Sequence, residues 1–247
     1  MEQDYFSTRA TVREYTDEEV SDEMLRDVIQ KAVHAPTCGN MQLYSVIVTR
    51  DREMKSRLEP LHFNQPASTG CNIILTICAD FNRFTRWCEI REAKPGYNNF
   101  HSFVEAMTDA VIFAQQIVTI AEMNGIGTCY LGTVNYNAAE IACLLNLPDL
   151  VVPVSSISLG YPKNKPEQSE RLPIDAVMHY ERYRKDSDSE IERLFSDKEN
   201  FATNRKFVEE NNKRNLAEVF TDIRYPKEMN ETVSASFLNI LKEKGFL

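Results

Sequence analysis

The sequence lacks an excess of positive charge. It contains 28 Lys and Arg residues against 37 Asp and Glu residues, which gives a formal net charge of -9 and a pI near 5.1. A protein that binds nucleic acid or an anionic membrane through charge needs a basic surface. Neither partner is therefore predicted. A phosphorylated cofactor would require locally concentrated positive charge, so individual arginines are more informative than the total.

Patterns that hold metal ions are missing as well. The six cysteines include no Cys-x-x-Cys pair, and the four histidines do not share metal-ligand spacing. Structural zinc sites and iron–sulfur sites need such clusters. We therefore expect reduced, buried thiols and no metal site.

The sequence has no uninterrupted apolar run long enough to cross a membrane. Residues 103–123 are its most apolar long stretch, but Glu105, Asp109 and Glu122 interrupt it, and such side chains are costly at the centre of a bilayer. Residues 1–7 also lack the basic and apolar regions of a secretory signal. The chain is therefore predicted to be cytoplasmic, without a membrane anchor.

The sequence does contain strand-like segments that alternate with helical patterns. Residues 44–48, 73–78 and 154–159 are rich in β-branched or aromatic residues and have the length of strands. Pro153 is expected to lie before the third strand. Ser21 can cap a helix whose apolar positions follow a 3.6-residue period. This alternation predicts a layered α/β or α+β domain.

A long helix is predicted in the middle of the chain. Ser102 and Glu105 form a capping-box pattern at its start, and Gly125 ends it after Asn124. Apolar residues cover most sides of this helix, so it should pack against a sheet and against a second layer or subunit. Asn137 repeats the capping pattern for the short helix that follows.

The chain changes character near its carboxyl end. Residues 180–247 are charged and helix-prone, with isolated apolar clusters, and the chain has no internal repeat, low-complexity tract or flexible linker. Residues 1–247 are therefore predicted to form a single domain, in which residues 180–247 are a helical extension.

Two arginines near the amino terminus are the first candidates for binding chemistry. Arg9, Thr11 and Arg13 occupy alternate positions, so in an extended segment they point to one side. Two guanidinium groups and a hydroxyl suit a phosphate and the polar edge of a planar ring, because arginine forms bidentate, charge-assisted hydrogen bonds. Taken alone, the pattern also fits solvated surface arginines.

Three further segments place small or polar residues next to strands. Residues 35–42 connect a helix to a strand, with Gly39 at the turn. Residues 125–132 hold the densest glycine cluster, but they follow a helix and lack the Gly-x-Gly-x-x-Gly spacing of a Rossmann site. These glycines are expected to let backbone amides approach a flat ligand. Residues 159–162 form a strand-ending turn that Arg171 follows.

In this order the four segments resemble the nitroreductase superfamily. Its patterns are Arg-x-Ser/Thr-Val-Arg, Ala-Pro-Ser/Thr-x-x-Asn-x-Gln, Gly-x-Gly-x-x-x-x-Gly and Leu-Gly-Tyr/Trp-Pro with a downstream arginine, and the resemblance covers residues 9–173. Residues 78–83 add a match to the NADPH-dependent nitroreductase and flavin reductase group. The resemblance implies an α+β fold of three layers (α/β/α), with a mixed, mostly antiparallel sheet and a carboxy-terminal helical extension.

The resemblance also implies a homodimer with an FMN at each of two interfacial sites, every site being built from both subunits. The cofactor-binding residues that it implies are Arg9, Ala10, Thr11, Arg13, Ser169 and Arg171 toward the phosphate and the pyrimidine side, Gln65, Tyr130, Leu131, Gly132 and Thr133 along the ring, and Thr37, Cys38 and Gly39 from the other subunit, with Asn40 and Gln42 as neighbours.

The implied chemistry needs no catalytic side chain, because the flavin itself accepts and donates the hydride. NADPH or NADH would reduce FMN, and a nitro compound, quinone or flavin would then use the same open face in a ping-pong cycle. Arg13 is the candidate cation for the negative charge that reduced flavin carries near N1 and O2. A backbone amide within residues 130–133 would donate a hydrogen bond to N5 of the flavin.

The sequence departs from the family pattern at two positions and leaves alternatives open. Ala10 and Ser169 stand where the family often has basic residues, so FMN binding is weakened or another residue compensates. Lys213 and Arg214 could bind the 2′-phosphate of NADPH or could equally be a solvated helix face. The alternatives are a specialised reduction, such as dehalogenation or flavin fragmentation, set by a lid at residues 91–100, and a flavin-binding protein without turnover.

Overall fold

The structure is a computed structural model that describes residues 4–247. The first three residues, on which the prediction of no secretory signal partly rests, lie outside this range. Two compact units are distinguished. The first comprises the described residues up to Pro166 together with Val233–Leu247, and the second comprises Glu167–Thr232. The single-domain assignment stays a prediction.

Helices and strands alternate in the first unit, and helices follow in the second. In chain order they are α1 (Tyr5–Thr8), α2 (Asp22–Ala32), β1 (Tyr44–Thr49), α3 (Arg52–Leu58), α4 (Pro66–Thr69), β2 (Ile73–Asp80), α5 (Asn82–Ile90), α6 (Phe100–Met123), β3 (Gly127–Tyr130), α7 (Ala138–Leu144), β4 (Val151–Gly160), α8 (Asp188–Asn200), α9 (Ala202–Glu210), α10 (Leu216–Val219) and α11 (Lys227–Glu243). Short 3₁₀ turns at Cys38–Asn40, Pro60–His62 and Gly132–Asn135 belong to the candidate site.

The sheet is antiparallel, with strand order β1-β2-β4-β3. The three predicted strands are confirmed, and each is longer than predicted. β3 was not predicted as a strand, because its four residues lie within the glycine-rich segment. The predicted α+β class and antiparallel character are confirmed, and no parallel pair occurs among residues 4–247.

Strand β2 is buried along its whole length and separates two helical layers. Ile73, Leu75 and Ile77 pack in the core cluster that includes residues of α2 and α6, whereas Ile74 packs with Leu58 of α3 on the other face. Alternate side chains of a strand point to opposite faces, so a strand without a polar face must be covered on both. This confirms the three-layer arrangement.

Pro153 lies inside β4, which corrects the expectation that it precedes the strand. It faces Cys78, at the point where the register of β2 and β4 shifts. Proline has no backbone N–H to donate, so a strand tolerates it at such an irregularity.

The central helix α6 begins three residues earlier than predicted. Asn99, not Ser102, caps it, because the Asn99 side chain accepts from the Ser102 N–H at 3.0 Å. Gly125, with φ +80°, follows its carboxyl end as expected. By length and composition alone α6 could cross a membrane, but its apolar residues form much of the core beside β2.

Candidate functional site

The arginine segment lies against β3. The Val12 N–H donates to the Thr128 carbonyl at 3.0 Å, and Val12 is buried whereas Arg13 is exposed. Val12 faces the protein and Arg13 lies at the surface, as expected for neighbouring positions of an extended segment. That Arg9, Thr11 and Arg13 point to one side stays a prediction.

Arg9 is held by a carboxylate that the sequence analysis did not assign to the site. Its Nε and Nη2 each lie 3.0 Å from an oxygen of Glu122, and Nη1 donates to the Thr11 hydroxyl at 3.2 Å. The Tyr5 hydroxyl also donates to Glu122 at 2.8 Å, and burial, followed by this carboxylate, raises the pKa of Tyr5 to about 12. Arg9 is thus fixed in place beside Thr11, with part of its charge balanced within the chain.

Gly127 allows the close approach between the arginine segment and β3. A Cβ atom at this position would lie 2.7 Å from three side-chain atoms of Val12. At Gly132, by contrast, a Cβ would meet nothing within 4 Å. The expectation that these glycines serve a ligand therefore does not hold for Gly127, whose role is packing, and it remains a prediction for Gly132.

Replacing Gly127 with alanine should lower the free energy of unfolding by about 1–3 kcal/mol, because the added methyl group overpacks a buried contact. Chemical denaturation of the variant measures this change. Gly96→Ala is the matched control, since a Cβ there meets nothing within 4 Å. Equal stability of the two variants would contradict the close approach.

The loop that contains Thr37, Cys38 and Gly39 is anchored to α6. Asp109, only 1% exposed, accepts from the Cys38 N–H at 2.8 Å and from the Leu43 N–H at 3.2 Å. Gly39 adopts a positive φ of 53°, as the turn requires. One buried carboxylate therefore holds the loop at two points.

The Cys38 thiol is exposed and lies 3.4 Å from a carboxylate oxygen of Glu105. The hydrogen bond to Glu105 is the largest of the effects that raise the pKa of this thiol. A thiol whose pKa is raised is a poor nucleophile. This environment therefore does not activate Cys38 as a nucleophile.

Gln65 and the segment Tyr130–Thr133 lie in neighbouring turns. Gln65 precedes α4, and its backbone carbonyl accepts from the Ser68 N–H at 2.8 Å. Its side chain does not cap the helix. Tyr130, 37% exposed, ends β3. Leu131 is buried and Gly132 is exposed, so the backbone comes to the surface at Gly132.

His62, which the sequence analysis did not identify, connects these two turns. Its Nδ1 lies 2.9 Å from the Thr133 hydroxyl. The side chain is fully buried, and burial lowers its pKa to about 4. The imidazole is therefore neutral at physiological pH. A histidine near a turn is no signal by itself, because its partner lies 71 positions away in the sequence.

The remaining predicted residues belong to the unit Glu167–Thr232. Arg171 is exposed, and its Nη1 donates to the carbonyls of Ser169 and Glu170 at 3.2 and 2.8 Å. Lys213 lies 2.9 Å from Asp222, and Arg214 pairs with Glu218. A 2′-phosphate bound by Lys213 and Arg214 would have to compete with these carboxylates.

The segment predicted to be a lid is attached at its carboxyl end. Tyr97 stacks on Phe81 with ring centroids 4.5 Å apart, and the Asn99 amide donates to the Gly96 carbonyl at 2.8 Å. Residues 91–94 are exposed. Among residues 4–247, no group of three His, Cys, Asp or Glu side chains could hold a metal ion.

Comparisons with known proteins identify relatives along most of the chain. The model of the nitroreductase family matches residues 7–70 and 77–161, more than half of the chain. An FMN reductase (NAD(P)H) from Bacillus subtilis (strain 168) is 35% identical over 175 residues, 70% of this chain and 70% of that protein. A Cr(VI) reductase from Pseudomonas sp. (strain G-1) is 29% identical over 231 residues, 92% of this chain and 94% of that protein.

Solved structures share the fold over nearly the whole chain. A protein from Bacteroides fragilis NCTC 9343, provisionally named an oxidoreductase, superposes with a TM-score of 0.97 at 44% identity, covering 99% of this chain and 100% of that one. The NfrA1 nitroreductase from B. subtilis superposes with a TM-score of 0.83 at 26% identity, covering 98% and 97%.

Proposed function

Because the chain belongs to the nitroreductase family, we propose that it is an FMN-dependent oxidoreductase that passes hydride from NADPH or NADH to nitro compounds, quinones or flavins. The observation that carries this proposal is the arginine segment docked on β3, the strand whose end opens into Tyr130–Thr133.

The residues present fit FMN by the chemistry of their donors. Arg9 and Thr11 are already aligned by a hydrogen bond, and the exposed Arg13 adds a second guanidinium on the same segment. A phosphate dianion and the polar edge of an isoalloxazine accept such donors. The open space beside Gly132 leaves room for a ring against the backbone. Ala10 contributes no charge, so the arginines are the phosphate and pyrimidine ligands of this unit.

Bound FMN would supply the hydride chemistry, and the chain would position and stabilise it. Arg13 is proposed to offset negative charge on the pyrimidine side of the reduced ring, as fixed donors do in an oxyanion hole. The backbone of Tyr130–Thr133 is proposed to donate to the ring, and the Gln65 amide to contact its edge. Donor and acceptor would use the same face in turn, which gives ping-pong kinetics.

The proposed assembly is a cytoplasmic homodimer in which Thr37–Gly39 of one subunit reach the flavin of the other. Val111 and Ile112 of α6 support a subunit contact. Both side chains are apolar, yet they are 47% and 38% exposed on a helix that contributes many buried residues to the core. The loop itself is exposed at Cys38 and Gly39.

The visible spectrum of the purified protein with FMN, before and after anaerobic addition of NADPH or NADH, tests the proposed function. Flavin uptake followed by bleaching is the expected result, and the nicotinamide that bleaches faster is the donor. A protein that takes up no FMN would contradict the proposal. A yellow protein that neither nicotinamide bleaches would instead be a flavin-binding protein without turnover.

Replacing Arg13 with alanine should weaken FMN binding about 10- to 100-fold, since a lost charge-assisted hydrogen bond is worth about 1.5–3 kcal/mol. Titration of FMN fluorescence measures the affinity. Arg26→Ala removes an exposed arginine of α2 and is the matched control. Unchanged FMN affinity and reduction rate in Arg13→Ala would remove Arg13 from its proposed role.

A further inference from the structure

We propose that His62 is a positioning residue that joins the turn leading to Gln65 to the turn that begins at Gly132, so that the two protein edges of the flavin site are held as one unit. This inference rests on the proposed function. His62 itself is buried and contacts neither flavin nor substrate in this proposal.

Three consecutive residues, Leu61–Phe63, contact the second turn or the two residues that follow it. The Leu61 carbonyl accepts from the Asn137 amide at 2.7 Å. His62 Nδ1 lies 2.9 Å from the Thr133 hydroxyl. The Phe63 ring packs edge-on against Tyr136, with centroids 5.6 Å apart. The connection is therefore continuous, and His62 provides its buried centre.

The hydrogen bonds of the two turns carry this connection to the proposed ligands. The Gln65 N–H donates to the His62 carbonyl at 3.3 Å, so the position of the Gln65 backbone depends on that of His62. Thr133 follows Gly132 directly in the same 3₁₀ turn. Fixing the Thr133 hydroxyl therefore restricts the backbone of Gly132, which lies within the segment Tyr130–Thr133 that is proposed to donate to the ring.

The buried imidazole has a cost that packing alone does not explain. Its Nε2 is buried without a hydrogen-bond partner among residues 4–247. A neutral imidazole always has one donor and one acceptor nitrogen, and a buried unpaired one is unfavourable. A phenylalanine or leucine would fill the space without that cost. The directional bond from Nδ1 to Thr133 is what an apolar side chain could not supply.

A double-mutant cycle on FMN affinity separates positioning from packing. The variants are His62→Phe, Thr133→Val and the double variant, each titrated with FMN and unfolded with denaturant. We expect each single variant to bind FMN about tenfold more weakly, the scale of one lost hydrogen bond. The double variant should be no weaker than the singles, because both remove the same bond.

Two further variants complete the test. His62→Asn keeps a polar group near the position of Nδ1 and should largely restore FMN affinity. Thr76→Val removes a buried hydroxyl that has no partner in the described chain, so it controls for the change from threonine to valine and should leave FMN affinity unchanged.

The outcomes distinguish this inference from the proposed function. A wild-type protein that does not bind FMN overturns both. Wild-type binding with unchanged affinity in His62→Phe and Thr133→Val, or with additive losses in the double variant, overturns the positioning role and leaves the proposed function intact. If His62→Phe does not fold, Thr133→Val still decides, because it removes the bond with little change in volume: unchanged FMN affinity in this variant overturns the positioning role, and a loss that His62→Asn does not share supports it.

Discussion

Replacing Asp109 with alanine is expected to lower the free energy of unfolding by about 3–6 kcal/mol, because two hydrogen bonds to a buried charged acceptor are lost and each is worth about 1.5–3 kcal/mol. Asp109 is 1% exposed and accepts from the N–H groups of Cys38 and Leu43. Leu43 is fully buried, so without the Asp109 carboxylate its N–H would have no hydrogen-bond partner. The variant should also lose the geometry of the loop that is proposed to reach the partner's flavin.

Denaturant unfolding of Asp109→Ala, with FMN titration of the folded fraction, measures both effects. Glu105→Ala is the matched control, because Glu105 lies one turn earlier on α6 and contacts the loop only through the Cys38 thiol. Asp109→Asn should lower the free energy of unfolding by less than Asp109→Ala does. Its amide oxygen can still accept one hydrogen bond, but its NH₂ group would face the other N–H donor. An alanine variant as stable as Glu105→Ala would show that the loop does not depend on Asp109.

Acidification from pH 7 to pH 5 should lower the stability contributed by His62 by about 2 kcal/mol. Burial lowers the pKa of His62 from 6.5 to about 4. The unfolded chain therefore binds more protons than the folded one between these values, so the contribution is complete above about pH 6.5 and is lost as the pH falls toward 4. Full loss across the window would be about 3 kcal/mol.

Unfolding free energies of wild type and His62→Asn, measured from pH 7 to pH 5, isolate this contribution. Asparagine does not titrate, so other groups affect both proteins equally. The wild type should lose about 2 kcal/mol more than the variant over this interval. Parallel pH profiles would mean that His62 is not buried as a neutral imidazole.

The fold was predictable where local sequence and tertiary environment agree. Residues 73–78 of β2 have no polar side chain except Thr76, and the strand is buried along its whole length. Ser21 caps α2 as expected, accepting from the Met24 N–H at 3.1 Å. Pro153 shows the limit, because only the register shift opposite Cys78 explains a proline within a strand.

The candidate site was predictable only for side chains that are proposed to touch the ligand. Arg9 and Thr11 could be located from their spacing and from the resemblance to a family. Glu122, Asp109 and His62 could not, because their roles depend on partners far away in the sequence: Glu122 lies 113 positions from Arg9, and Asp109 lies 71 from Cys38. For Asp109 and Glu122 the available sequence signal was a carboxylate within the apolar helix α6.

Helix α6 also sets the spacing between Arg9 and the loop at Cys38, two parts of the chain that are proposed to contribute to different flavin sites of the dimer. Asp109 near its middle fixes the loop, and Glu122 near its end fixes Arg9. At 1.5 Å and about 100° per residue, the two carboxylates are separated by about 20 Å along the helix and by about 220° around it. Insertion or deletion of one residue between them would rotate one carboxylate by about 100° relative to the other. The stretch between Asp109 and Glu122 should therefore tolerate substitutions far better than insertions or deletions.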